Sequence, residues 1–205
     1  DVTAAHRAIA ADGRGYVAFA LRPRLPARTD GDARDYVIVV DSSQSMVGER
    51  WERARNLVAG IVAEMDRRDR FTVLACDYEC RSIDAGGATA RTFRSPSATE
   101  VGAVTEWLGS IEPAGASDVG AALRRATELP PGREEGRPVH VVYVGDGVAS
   151  AGHRAAGALG TIAEGVAAAA HASITTVGIG QDADTVALAA IARGGGGHYV
   201  PYVPG

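Results

Sequence analysis

Four short apolar runs, separated by stretches with helical periodicity, constrain this chain more than any other feature. They are Tyr36–Val40 (YVIVV), Phe71–Cys76 (FTVLAC), Val139–Val144 (VHVVYV) and Ser173–Ile179 (SITTVGI). A strand with one face in water alternates apolar and polar residues, whereas a near-continuous apolar run suits a strand covered on both faces. The covering layers lie in the gaps between the runs. In Trp51–Met65, Ala54, Leu57, Val58, Ile61, Val62 and Met65 fall on one side at helical spacing. Ser97–Ser110 reads as a second helix, with Ser97 as N-cap and Glu100 three residues later. Ser117 opens a third helix toward Leu129, with Val119, Ala122, Leu123 and Ala126 facing inward, and Pro130-Pro131 stops it. Ala155–Ala170 and Thr185–Arg193 read as further helices, and His198–Val200 as a last strand. This alternation predicts an α/β fold: a doubly wound, mostly parallel central sheet flanked by helices, Rossmann-like in plan. The weak strand Cys80–Ile83, after a turn at Asp77–Glu79, predicts one antiparallel edge hairpin.

At 205 residues the chain is long enough for one such domain with a full core. We place that domain at residues 36–205. Residues 1–35 read as a lead-in segment, the remnant of an upstream region. Within it Gly15–Arg22 alternates like a strand and is expected to add to the sheet edge. The chain opens at Asp1 with no signal peptide, so a fragment of a longer protein is expected. A formal net charge of −4 gives no electrostatic basis for nucleic-acid binding. No apolar run nears the roughly 20 residues a membrane helix needs, so no membrane insertion by this fragment is expected. Cys76 and Cys80 are spaced either for a disulfide across a tight hairpin or for two reduced thiols, the latter being the default reading.

Ligands of doubly wound sheets gather where loops leave the carboxyl ends of the strands. Three loops there carry oxygen groups. Asp41-Ser42-Ser43-Gln44-Ser45 follows YVIVV; Gly115-Ala116-Ser117-Asp118 precedes a helix; Gly145-Asp146-Gly147 follows VHVVYV. Alternate residues of a tight loop can point one way, so Asp41, Ser43 and Ser45 can converge, and Ser117 and Asp146 complete an all-oxygen set. Such a set suits a hard cation: Mg²⁺ first, with Mn²⁺ or Ca²⁺ as substitutes. Two carboxylates among neutral hydroxyls leave a divalent ion with residual positive charge. It therefore favours a carboxylate from outside. Asp118 stands where it could orient a bound water, or simply serve as a solvated first-turn carboxylate.

The pattern Asp41-x-Ser43-x-Ser45, then Ser117, then Asp146 resembles the metal-ion-dependent adhesion site of von Willebrand factor type A domains. The likeness runs from residue 36 to about 200. Gln44 stands where Gly is common and Ser117 where Thr is usual; serine keeps the hydroxyl. Gly15–Ala27 looks like the lead-in of the inter-alpha-trypsin inhibitor heavy chain type. The resemblance implies a cation-dependent binding module whose protein partner offers an Asp or Glu, and it favours a cell-surface or extracytoplasmic setting. The alternative is a structural domain whose metal site stabilises the fold or an intrachain contact.

Enzymatic readings fit less well. Aspartyl phosphotransfer at Asp41 needs further carboxylates and a Lys, and the chain has no Lys. Neither a GxxxxGK[ST] loop nor a GxSxG elbow is present. Gly194–Gly197 reads as a turn rather than a dinucleotide loop. His140 reads as a packed or hydrogen-bonded strand residue, and Trp51 and Trp107 as packing. No catalytic residue is expected.

Overall fold

The structure, a computed structural model, describes residues 2–10, 12–21, 33–84, 92–128, 134 and 136–202. It divides into two units, Asp1–Gly31 and Asp32–Gly205. In the first, β1 (Val2–Ile9) pairs antiparallel with β2 (Gly15–Leu21). The turn between them is closed by Ala10 N donating to Arg14 O at 2.8 Å. The expected partner of β2 was the edge of the large sheet. Instead β2 belongs to a separate two-stranded sheet, because β1, not read from the sequence, is a local partner only one turn away.

The described residues of the second unit form six strands: β3 (Asp35–Asp41), β4 (Arg70–Cys76), β5 (Cys80–Ser82), β6 (Val139–Gly145), β7 (Ala172–Ile179) and β8 (Gly196–Tyr202). Their order is β5-β4-β3-β6-β7-β8, parallel except for β5. The α/β, doubly wound sheet with one antiparallel edge hairpin is therefore as expected. Among the described residues, five α-helices cover it: α1 (Glu49–Ala63), α2 (Ala98–Gly109), α3 (Val119–Thr127), α4 (Ala156–Ala170) and α5 (Thr185–Gly194). Ser97 caps α2 as predicted, accepting from Glu100 N at 3.2 Å.

Strand alternation sorts the side chains onto two faces. Ile38 and Val40 pack with Val58 and Val62 of α1 and Leu108 of α2. Val37 and Val39 pack with Leu123 of α3, Leu159 of α4 and Leu188 of α5. Both faces are buried, which is why the central runs carry no polar alternation. At the amino end of the sheet Asp35, fully buried, receives a bidentate pair from Arg70 at 2.8 Å on each oxygen. Arg137 Nε lies 2.8 Å from the same carboxylate as an ion pair without hydrogen-bond alignment. No helix among the described residues is long and apolar enough to cross a membrane.

The hairpin corrects the default reading of the cysteines. The β4–β5 register sets Cys76 opposite Cys80, with Cα atoms 4.1 Å apart, and the two form a disulfide. Sequence spacing alone carries no register, so it left both states open.

Candidate functional site

Connections reverse direction between β3 and β6, leaving a crevice at their carboxyl ends. Asp41 ends β3 and Asp146 follows β6, so the two carboxylates flank that crevice. Asp41 is 1% exposed and Asp146 is fully buried. On the side facing α3 the Asp41 carboxylate is gripped from three directions. Ser43 N donates to Oδ1 at 2.9 Å; Ser117 Oγ and Tyr143 Oη donate to Oδ2 at 3.0 and 2.8 Å. Ser43 Oγ stands 3.1 Å from Ser45 Oγ. Asp146 Oδ1 accepts from Val148 N at 2.9 Å, and Arg50 Nη1 lies 3.4 Å from Oδ2 and donates to Ser45 O at 3.1 Å. The five residues singled out from the sequence thus form one connected group.

Backbone hydrogen bonds fix the loops to one another. Gln44 N donates to Gly115 O at 3.0 Å, and Ala114 N to Ser42 O at 2.9 Å. Ser150 N and Ala151 N both donate to Ser117 O at 3.0 Å, while Ser150 Oγ accepts from Ser117 N at 2.9 Å. Asp184 N donates to Asp146 O at 2.7 Å, tying the start of α5 to the third loop. Gly145 has no room for a side chain: a Cβ there would stand 2.6 Å from that of Asp41 and 3.1 Å from the Tyr143 hydroxyl.

Two expectations shift. Ser117 does not open α3; the helix begins at Val119 and Asp118 caps it, accepting from Ala121 N at 2.9 Å. This leaves the Ser117 hydroxyl free to bond Asp41. Asp118 is half-buried rather than solvated, and its engagement is with the helix. Arg50, Tyr143 and Asp182 were not read as site residues at all. Tyr143 looks like one more apolar strand position, and the Arg50–Asp182 pair spans 132 residues without a local signature.

Electrostatically the site holds negative charge under strain of burial. Loss of hydration raises the Asp41 carboxyl above its ordinary value, the donors from Ser43 and Tyr143 oppose that, and the charge of Asp146 adds to the rise. Tyr143 is pushed well upward, first by burial and then by Asp41, so its hydroxyl stays a proton donor. Among the described residues, no three His, Cys, Asp or Glu side chains gather as a metal cluster. The set here is two carboxylates and three hydroxyls. A groove of about 550 Å³ between the end of α1 and the start of α2, lined by Val62, Met65, Arg67 and Val101, contains none of these residues.

The fold recurs in solved structures. An aerotolerance-related membrane protein from Bacteroides fragilis NCTC 9343, carrying multiple mutations to serines, aligns at 18% identity and a TM-score of 0.65, over 83% of this chain and 92% of that one. BatB from Bacteroides thetaiotaomicron aligns at 18% identity and 0.63, over 84% and 92%. A von Willebrand factor type A protein from Catenulispora acidiphila aligns at 17% and 0.66, over 84% of this chain and 39% of that one. No curated protein matches the sequence. Residues 34–200 match the von Willebrand factor type A domain, and the chain belongs to that family.

Proposed function

We propose that this domain binds a protein partner through a divalent cation, Mg²⁺ in the first instance, held by Asp41, Ser43, Ser45, Ser117 and Asp146. Domains of this family are generally protein-interaction modules. The observation that carries the cation is the convergence of three loops on two carboxylates that are 0–1% exposed. Burying two negative groups together is unfavourable unless positive charge compensates them. The Arg50 guanidinium offsets one edge of Asp146. The donor chemistry fits a hard cation: oxygen only, with no thiolate or imidazole. A bound Mg²⁺ would supply a Lewis-acidic position able to take a carboxylate from an Asp or Glu of the partner.

The chain's own residues prepare for that. Ser43 N, Ser117 and Tyr143 hold the Asp41 carboxylate in one orientation. Exposed apolar side chains stand on the surrounding loops: Val47 after the first, Tyr78 after β4 and Val148 after the third. They offer contact area around the acidic group, and no step of catalysis is assigned to any residue.

The test is thermal unfolding with MgCl₂, paired with an array of acidic peptides read with and without EDTA. In wild type, Mg²⁺ at a hundredfold excess over Kd stabilises by about 2.7 kcal/mol; Asp41→Ala loses that response, and peptide binding disappears with EDTA. No response in wild type sinks the cation reading. A response without any EDTA-sensitive acidic ligand favours a purely structural metal.

A further inference from the structure

Arg50 sits in the first turn of α1 and reaches back across the site. Its Nη1 lies 3.4 Å from Asp146 Oδ2, while its Nη2 stands 2.5 Å from both carboxylate oxygens of Asp182. One guanidinium is therefore shared between a buried carboxylate inside the site and an exposed one outside it. The turn beneath is shaped for this. Gly180 has φ 96°, and a Cβ there would lie 3.2 Å from both Arg50 Nε and Asp182 Oδ1. The two carboxylate contacts of Arg50 are unequal: the outer is close, with one nitrogen against both oxygens, and the inner is long and single.

We propose, resting on the cation-binding reading above, that Arg50 is a positioning residue that sets the cation affinity of the site, and that Asp182 is its outer holding point. On Asp146, Arg50 supplies the positive charge that a buried carboxylate requires and occupies its Oδ2. On Asp182, Arg50 leaves that oxygen open. The balance between the two carboxylates fixes how readily Asp146 accepts a cation.

The experiment is calorimetric titration of the whole chain with MgCl₂ alone. Arg50→Gln removes the competing charge and tightens Mg²⁺ binding about tenfold, equivalent to 1.4 kcal/mol. Asp182→Asn releases the guanidinium onto Asp146 and weakens binding by several-fold. In the Arg50→Gln background Asp182→Asn has no further effect, because Asp182 acts through Arg50. A general loss of nearby negative charge would weaken binding in both backgrounds; that result overturns the proposal. So does an unchanged or weaker affinity in folded Arg50→Gln. Asp182 is exposed, so its variant keeps the test open even where Arg50→Gln fails to fold. Wild type without any Mg²⁺ heat overturns the cation reading and this inference together, whereas wild-type binding with unresponsive variants overturns only this one.

Discussion

Burying a phenol is unfavourable unless its hydroxyl finds an acceptor, and Tyr143, 1% exposed, finds Asp41. The same bond supplies one of the donors that make a buried Asp41 tolerable. Tyr143→Phe keeps the ring and deletes the bond, so a loss of about 1.5 kcal/mol in urea unfolding is expected, typical of a hydrogen bond to a charged group. Stability equal to wild type would show that Asp41 does not depend on it. His140 tests a different balance. Its ring stands edge-on to Tyr36 and 2.5 Å from Ser173 Oγ. Burial lowers its pKa, with the charges of Arg34 and His198 adding to the shift. A lowered pKa means that the unfolded chain takes up the proton first. The neutral ring's contribution is whole above about pH 6.5, the unfolded value, and is lost as pH falls through the lower folded value. Melting temperatures from pH 8 to 5 should therefore fall less steeply in His140→Gln than in wild type; parallel curves would refute the assignment.

Among elements, the hairpin β4–β5 is tied directly to the site loops. Its turn, Asp77–Glu79, gives a carbonyl to Asp118 N at 3.1 Å, and Arg81 reaches Ser42 Oγ at 3.3 Å. Cys76 O accepts from Ser42 N at 2.8 Å, so the disulfide holds together a turn that touches two of the three site loops. Closing so short a loop is worth about 2 kcal/mol in the chain-entropy description. Cys80→Ser is expected to lower stability by about that amount and to weaken the Mg²⁺ response, with dithiothreitol producing both effects in wild type. If reduction leaves Mg²⁺ binding untouched, the hairpin does not brace the site. The hairpin was legible in the sequence and a disulfide across it was one of two readings; its ties to the two site loops were not. Helix positions follow from a local period, and the DxSxS loop from adjacent residues. The hairpin register, the Asp118 cap in place of Ser117, and the grip of Tyr143 on Asp41 depend on which surfaces meet. Local pattern found the five candidate residues because they lie at or just beyond the ends of unmistakable strands or before a helix. It missed β1, where Val2–Ile9 lacks a run of large apolar residues.

For the whole molecule, the described residues of the two apolar clusters belong to the second unit, between its own strands and helices. A fragment beginning at Asp32 should unfold in a single cooperative transition by circular dichroism and keep the Mg²⁺ response. Loss of cooperativity would mean that the first unit contributes to the stability of the second. The order β5-β4-β3-β6-β7-β8 also has a temporal meaning. The bonds from Asp41 to Ser117 and to Tyr143 span 76 and 102 residues of chain. Closing loops of that length comes late, since its entropic cost precedes its reward. A partly folded chain with β3 and β4 paired but β6 not yet docked carries the whole Asp41 loop and no site. Under the proposed function, ligand capture at this crevice would act as an inspection of the finished fold, open only once the central strands have met.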